Sequence, residues 1–222
     1  TAAMACGNCV IWKPAEQTPL IVWQVFQIME ECGLPEGVVN FLPGKGEVAG
    51  QALLESPDAD MIVFTGSRDV GLHILKECNV VREGQRFVKR VVTEMGGKNA
   101  LIIDSSSDLD AAVPDILYSA FGFSGQKCSA LSRLIVLEDV YDECVERLRD
   151  GVMSLKIAPA TDPGCQVGPV IDDEAREKIL SYFDIAKEEG REVARLDPPE
   201  GLPDGTYVPV GVYEGIRPEH RL

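Results

Sequence analysis

An α/β fold with parallel strands is what this sequence predicts, on three observations. Short apolar runs of strand type recur along the chain, among them Val38-Val39-Asn40-Phe41-Leu42 and Met61-Ile62-Val63-Phe64. Between them lie stretches whose apolar residues fall at helical spacing. The helical stretches carry start and stop residues of their own, as at Thr18-Pro19 and Gly33. A β-α-β-α-β order of this kind makes successive strands parallel, with helices covering the sheet.

The elements follow in order. Cys9-Val10-Ile11-Trp12 is β-rich and the chain begins inside that segment. Thr18-Pro19 opens a helix, since the hydroxyl caps and proline suits the first helical position. Ile21, Val25, Ile28 and Cys32 mark one helical face, and Gly33 supplies the stop. Residues 38–42 read as a strand, about 47–55 as a helix, and 61–64 as a strand ending at Thr65-Gly66-Ser67. A helix over about 70–78 precedes Arg90-Val91-Val92-Thr93, which leads into Glu94. The alternation looks like part of a dinucleotide-binding domain. Residues 100–103 begin another strand, 108–121 form a helix with Pro114 near its first turn, and 133–137 form a strand. The helix after Asp142 uses Val145, Leu148, Val152 and Leu155; the one after Asp172 uses Ala175, Ile179, Tyr182, Phe183 and Ala186. Residues 197–205 are a turn-rich loop.

Composition narrows the function classes. A net charge of −15 over 222 residues argues against a nucleic-acid surface, while leaving room for a local pocket that takes an anionic cofactor. No apolar run reaches the ~18–20 residues of a transmembrane helix, and no secretory signal pattern is visible. Seven irregularly spaced cysteines do not read as a disulfide framework and point to a reducing compartment. Cys6-Gly7-Asn8-Cys9 is formally C-x-x-C, but only two histidines, His73 and His220, are present and no metal site is expected.

Two segments carry the chemistry. Glu94 ends an apolar β-type run beside Gly96-Gly97, and Cys128 lies 34 residues further on in a glycine-bounded loop, Gly122-Phe123-Ser124-Gly125-Gln126-Lys127-Cys128. A thiol and a carboxylate are the parts needed for covalent catalysis followed by hydrolysis. Cys128 is the candidate nucleophile, with Gly122 and Gly125 letting backbone amides approach the reacting atom; the plainer alternative is a buried structural cysteine. Glu94 is the candidate general base, carried into a cleft where partial burial raises its pKa; the plainer alternative is a solvated carboxylate at a strand end. Thr65-Gly66-Ser67 can form an anion site at a helix start or serve as a simple cap. Lys13 can bind ribose or phosphate and Glu16 can accept from ribose hydroxyls, though both residue types are more often plain surface groups. Gly44-Lys45-Gly46-Glu47-Val48-Ala49 matches G-x-G-x-x-A, yet Asp58 and Asp60 are too close to be the acidic partner expected ~20 residues on.

Taken in order, seven blocks resemble the aldehyde dehydrogenase superfamily. They are Lys13-Pro14-Ala15-Glu16 with Thr18-Pro19; Gly33-Leu34-Pro35 through Gly46; Phe64-Thr65-Gly66-Ser67; Glu94-Met95-Gly96-Gly97-Lys98; Gly125-Gln126-Lys127-Cys128; Val167-Gly168-Pro169-Val170-Ile171; and Gly215-Ile216-Arg217-Pro218-Glu219-His220. The Glu94 and Cys128 blocks, with Asp104-Ser105-Ser106 and Ser132-Arg133, look most like the 1-pyrroline-5-carboxylate dehydrogenases, stand-alone or as the dehydrogenase half of bifunctional proline-utilisation proteins. Leu131 departs from the pattern, standing where many relatives have a second cysteine.

The resemblance implies a partial Rossmann-like NAD-binding domain over 1–95 and a partial α/β catalytic domain over 96–222. It implies Cys128 as nucleophile, Glu94 as base, Lys13 and Glu16 on the adenosine ribose, Gly66 and Ser67 at the pyrophosphate, and Ser129 on the substrate carboxylate. Gly44 and Gly46 become a packing turn. The implied reaction is oxidation of glutamate γ-semialdehyde to glutamate with NAD, in a homo-oligomeric parent located in the cytoplasm or, in a eukaryote, the mitochondrial matrix. The resemblance further implies that the oxyanion-hole Asn lies upstream of this chain and the acidic motif for the nicotinamide ribose beyond Leu222, so that the chain alone is inactive. Two other expectations stand beside it: a related dehydrogenase acting on another aldehyde or semialdehyde, and a non-catalytic piece.

Overall fold

A computed structural model of the chain describes residues 2–222 and divides into two compact units, one ending at Met95 and the other running from Gly96 to Leu222. The first unit opens with a helical turn, α1 (Ala2–Ala5), ahead of the β-rich segment at 9–12, which forms a strand as expected. Strand β1 (Val10–Trp12) pairs in parallel with β2 (Val39–Phe41), and helix α2 (Pro19–Glu31) connects them. Pro19 occupies the first turn of α2, but the Thr18 hydroxyl makes no capping bond. Gly33 follows the helix at φ +84°, a conformation that side-chain-bearing residues rarely adopt.

The packed face of α2 differs from the expected one. Ile21, Val25, Ile28 and Cys32 are exposed, while Val22, Phe26 and Met29 are half-buried. Phe26 and Trp23 lie against Phe41 of β2, with ring centroids 6.0 and 5.3 Å away. The helix is apolar nearly all round, so its periodicity did not choose the side.

A five-residue π-helical segment (Gly46–Gly50) runs into α3 (Gln51–Glu55). Strand β3 (Met61–Gly66), helix α4 (Arg68–Cys78) and strand β4 (Arg90–Met95) form the next unit, again parallel. Ile62, Phe64 and Val91 point to one side and pack on Leu54, Ile74 and Cys78, forming the first core. The strands thus form two separate parallel pairs, not one continuous sheet. Lys89 is buried at the start of β4, its ammonium donating to the carbonyls of Leu54 and Ser56.

In the second unit β5 (Asn99–Ile103) and β6 (Leu131–Val136) pair in parallel, connected by α5 (Leu109–Phe121). Asp108 caps α5 by accepting from the N–H groups of Asp110 and Ala111. Pro114 lies inside the helix and not in its first turn. An interior proline costs about 3 kcal/mol, and the burial of Leu109, Val113, Ile116 and Leu117 offsets it. Helix α6 (Tyr141–Met153) buries Cys144, Leu148 and Val152 against the same core. Helix α7 (Asp173–Glu189) is capped by Asp172 and leads into an antiparallel pair, β7 (Arg191–Leu196) with β8 (Val210–Glu214), which the sequence pattern did not announce.

Candidate active site

In the first unit the candidate residues collect at the carboxyl ends of parallel strands, where open α/β sheets bind ligands. The register pairs Thr65 with Glu94 and Gly66 with Met95, so Gly66, Ser67 and Glu94 share one edge of the β3–β4 pair. Ser67 is the cap of α4, its hydroxyl accepting from the Val70 N–H at 3.4 Å. Gly66 has room for no side chain: an added Cβ would lie 2.4 Å from the Phe64 ring. A bare backbone next to an eleven-residue helix start is suited to an anion.

Glu94 does not sit as the sequence suggested. It lies on the face of β4 turned away from the core, with Val92, and is exposed. The alternation of the strand explains this: Val91 and Met95 take the half-buried positions, and Glu94 falls between them. The burial expected for it is not found.

Lys13 follows β1 and Gly44 follows β2, again at strand ends. The Lys13 ammonium donates to the carbonyls of Pro14 at 2.8 Å and Gly44 at 3.0 Å, leaving one donor for a ligand. Glu16 accepts from the Gly46 N–H through one carboxylate oxygen. Both candidate ribose contacts therefore also hold the 44–46 turn. A Cβ on Gly44 would come within 2.8 Å of the Ala49 methyl, so close packing explains this glycine in the G-x-G-x-x-A pattern.

In the second unit Cys128 lies between a 3-10 turn (Gly122–Gly125) and β6, and it is exposed. So are Cys6, Cys9 and Cys32, whereas burial pushes the Cys78 and Cys144 thiols up. All seven cysteines are free. What distinguishes Cys128 is the backbone around it. Phe123, Ser124 and Gly125 are all left-handed, at φ 57°, 55° and 69°. Two such non-glycine residues in a row cost of order 1–2 kcal/mol each, and neighbouring contacts hold them. The Ser124 hydroxyl donates to the Gly168 carbonyl at 2.8 Å, and Gln126 Oε1 accepts from the Ile171 N–H at 3.2 Å. The Lys127 ammonium sits 5.1 Å from the centre of the Tyr118 ring. Behind the loop an apolar cleft of about 270 Å³ is lined by Phe121, Val167, Ile179, Phe183 and Val208, among others. Ser129 is exposed beside Cys128.

One residue outside the candidate set also touches this loop. Asn99 Nδ2 donates to the carbonyls of Cys128 at 2.8 Å and Ala130 at 3.1 Å. The available signal was compositional, an Asn placed where a strand begins, although Asn is depleted in strands.

The first unit thus carries a carboxylate and a helix start at strand ends, and the second an exposed thiol on a clamped loop. The chain belongs to the aldehyde dehydrogenase family, whose description matches residues 1–222. Among curated relatives, 1-pyrroline-5-carboxylate dehydrogenase 1 of Halalkalibacterium halodurans is 46% identical over 190 residues, covering 86% of this chain and 37% of that protein. The 1-pyrroline-5-carboxylate dehydrogenase of Geobacillus thermodenitrificans is 42% identical over 221 residues, covering 100% and 42%. Among solved structures, proline utilization A of Bdellovibrio bacteriovorus matches with a TM-score of 0.94 at 44% identity, covering 99% of this chain and 23% of that one. The 1-pyrroline-5-carboxylate dehydrogenase from Thermus with bound NAD matches with a TM-score of 0.91 at 41% identity, covering 98% and 42%. The chain thus spans well under half the length of the relatives it matches. Among the described residues no helix is long and apolar enough to cross a membrane.

Proposed function

We propose that this chain supplies cofactor-contacting and nucleophile-bearing parts of a dehydrogenase that oxidises glutamate γ-semialdehyde (1-pyrroline-5-carboxylate) to glutamate with NAD. The observation that carries the reading is an exposed thiol, Cys128, on a loop whose backbone is held from several sides. The names and identities of the relatives support the substrate class. Residues 1–95 act as the NAD-binding part and 96–222 as the catalytic part.

The donors present fit the cofactor. Gly66 offers a side-chain-free approach, and Ser67 the start of helix α4, to a pyrophosphate. Lys13 and the second carboxylate oxygen of Glu16 take ribose hydroxyls, and the Glu16 charge disfavours a 2′-phosphate, which selects NAD over NADP. When bound, NAD supplies the hydride acceptor. The Cys128 sulfur adds to the aldehyde carbon, and after oxidation it carries the acyl group as a thioester. Glu94 takes a proton from water so that the acid is released and the thiol restored. The Ser129 hydroxyl donates to the substrate carboxylate. Free thiols suit a reducing compartment, the cytoplasm of a bacterium or the mitochondrial matrix of a eukaryote, and the family resemblance implies a homo-oligomer.

Two measurements on the full-length protein test this. Cys128→Ala abolishes oxidation, while Glu94→Gln keeps a pre-steady-state burst of NADH and stalls at thioester hydrolysis. Normal turnover in Cys128→Ala overturns the nucleophile assignment, and equal loss of the burst in both variants moves Glu94 to an earlier step. A preference of about a hundredfold for succinic semialdehyde over 1-pyrroline-5-carboxylate replaces the substrate by that of a related family member.

A further inference from the structure

We infer that Asn99 is a positioning residue for the Cys128 nucleophile, its side-chain amide fixing the peptide that follows the thiol-bearing residue. The inference rests on the reading of Cys128 as nucleophile and adds a residue to that machinery.

The geometry comes from a bulge. In the β5–β6 pair Asn99 stands opposite Leu131 while Ala100 stands opposite Arg133, so Ser132 has no counterpart. Bulges end or redirect a ladder and re-aim the side chains beside it. Here the ladder ends at Asn99, and residues 128–130 lie beyond it, outside either strand. The Asn99 side chain continues the pairing where the backbone stops. Its NH2 group has two hydrogens, and the two acceptors within reach are the Cys128 carbonyl at 2.8 Å and the Ala130 carbonyl at 3.1 Å. Two carbonyl acceptors also fix which way the amide is turned, because the side-chain oxygen can donate to neither.

The neighbours fit the same role. Ser132, the residue left over by the bulge, directs its hydroxyl to the Asn99 carbonyl at 3.4 Å. Gly97 packs beside the same peptide: a Cβ there would be in ordinary contact with the Cys128 carbonyl oxygen at 3.5 Å and with Asn99 Oδ1 at 3.4 Å. Holding the Cys128 carbonyl fixes that residue's ψ angle and hence the plane from which its Cα–Cβ bond leaves. Asp has the right length but no donor when ionised, Ser has one donor, and Leu has the branched shape but none. Misplacing a reacting group by ~1 Å costs about 10²-fold in rate, so losing both bonds acts on the chemical step.

The test uses the full-length protein carrying Asn99→Asp or Asn99→Leu, both close to Asn in size and neither a donor at neutral pH. The expected result is an NADH burst slowed about 10–100-fold with the KM for NAD within about threefold of wild type. A general loss of structure moves the NAD KM as well. Should Asn99→Leu fail to fold, Asn99→Asp decides alone. A folded variant whose burst stays within about threefold of wild type overturns the inference, as does a rise in NAD KM in step with the lost burst. Cys128→Ala separates the two levels. If it is inactive while the Asn99 variants are normal, only the role of Asn99 has failed; if it turns over normally, the nucleophile reading has failed with it.

Discussion

The left-handed pair in the thiol loop reverses an ordinary rule of substitution. At an exposed helical position Ala is more stable than Gly by about 1 kcal/mol, because glycine loses more chain freedom on folding. Phe123 has φ 57° and ψ 32° and is 77% exposed, so little packing is lost on truncation. A side-chain-bearing residue in that conformation costs about 1–2 kcal/mol, a cost that glycine does not bear. Subtracting, at the midpoints, the roughly 0.5–1 kcal/mol of extra entropy that glycine loses leaves Phe123→Gly more stable than Phe123→Ala by about 0.75 kcal/mol. Lys178, exposed in the middle of α7, is the internal control, where Ala wins. The two units report separately: both tryptophans, Trp12 and Trp23, lie in the first and all five tyrosines in the second. Urea unfolding followed by tyrosine absorbance therefore reads the second unit. If Ala exceeds Gly at 123 by as much as at 178, the loop is not held left-handed and the account of its strain is wrong.

Two further outcomes follow from polar contacts in the second unit. The Tyr141 hydroxyl donates to Glu214 at 2.6 Å, and this bond, followed by burial, pushes its pKa up from 10.0 to about 12. The folded chain thus holds the phenolic proton more tightly than the unfolded one, so the stabilisation is complete below pH 10 and disappears as pH rises from about 10 to about 12. The displacement is worth at most about 2.7 kcal/mol, and partial exposure reduces it to about 1 kcal/mol; the stability gap between wild type and Tyr141→Phe in urea should close over that window, and a gap that widens there refutes the assignment. Asp172→Ala removes the acceptor of the Ala175 N–H, 2.9 Å away, and should lower stability by about 1 kcal/mol, read as a lower urea midpoint with unchanged slope.

The order of strands and helices was legible because it rests on local patterns. Gly33, Ser67, Asp108 and Asp172 mark element ends through their own backbone preferences, and the structure uses each at such an end. What escaped depends on partners distant in sequence. The face of α2 was set by Phe41, which no periodicity within the helix reveals. Strand β7 went unseen because a register shift between Glu192 and Ala194 places Val193 and Ala194, adjacent in sequence, both in the core, which erases the alternation. The same kind of irregularity hid Asn99, since its contact with Cys128 exists only once β5 and β6 are paired out of step. Phe123 and Ser124 carry no preference for the left-handed region, so the shape of the loop came from Ser124 on Gly168 and Gln126 on Ile171, 44 and 45 residues away.

These contacts divide the work around Cys128 in a particular way. Every bond that shapes the loop ends on a backbone group or on a neighbouring side chain: Asn99 on the Cys128 carbonyl, Ser124 on Gly168, Gln126 on Ile171, Lys127 over Tyr118. The thiol itself is left exposed. The buried cysteines show the opposite arrangement, with Cys144 fully enclosed by the core and its thiol pushed up by desolvation, hence held neutral. A nucleophile needs the first arrangement, because a fixed backbone sets the direction of attack while an accessible sulfur can ionise and reach a carbonyl carbon. Exposure alone would have picked out Cys6, Cys9 and Cys32 equally well. It is the combination of a constrained peptide and an exposed side chain that supports the proposal of Cys128 as nucleophile, and Asn99 is the residue that joins that peptide to the end of the sheet.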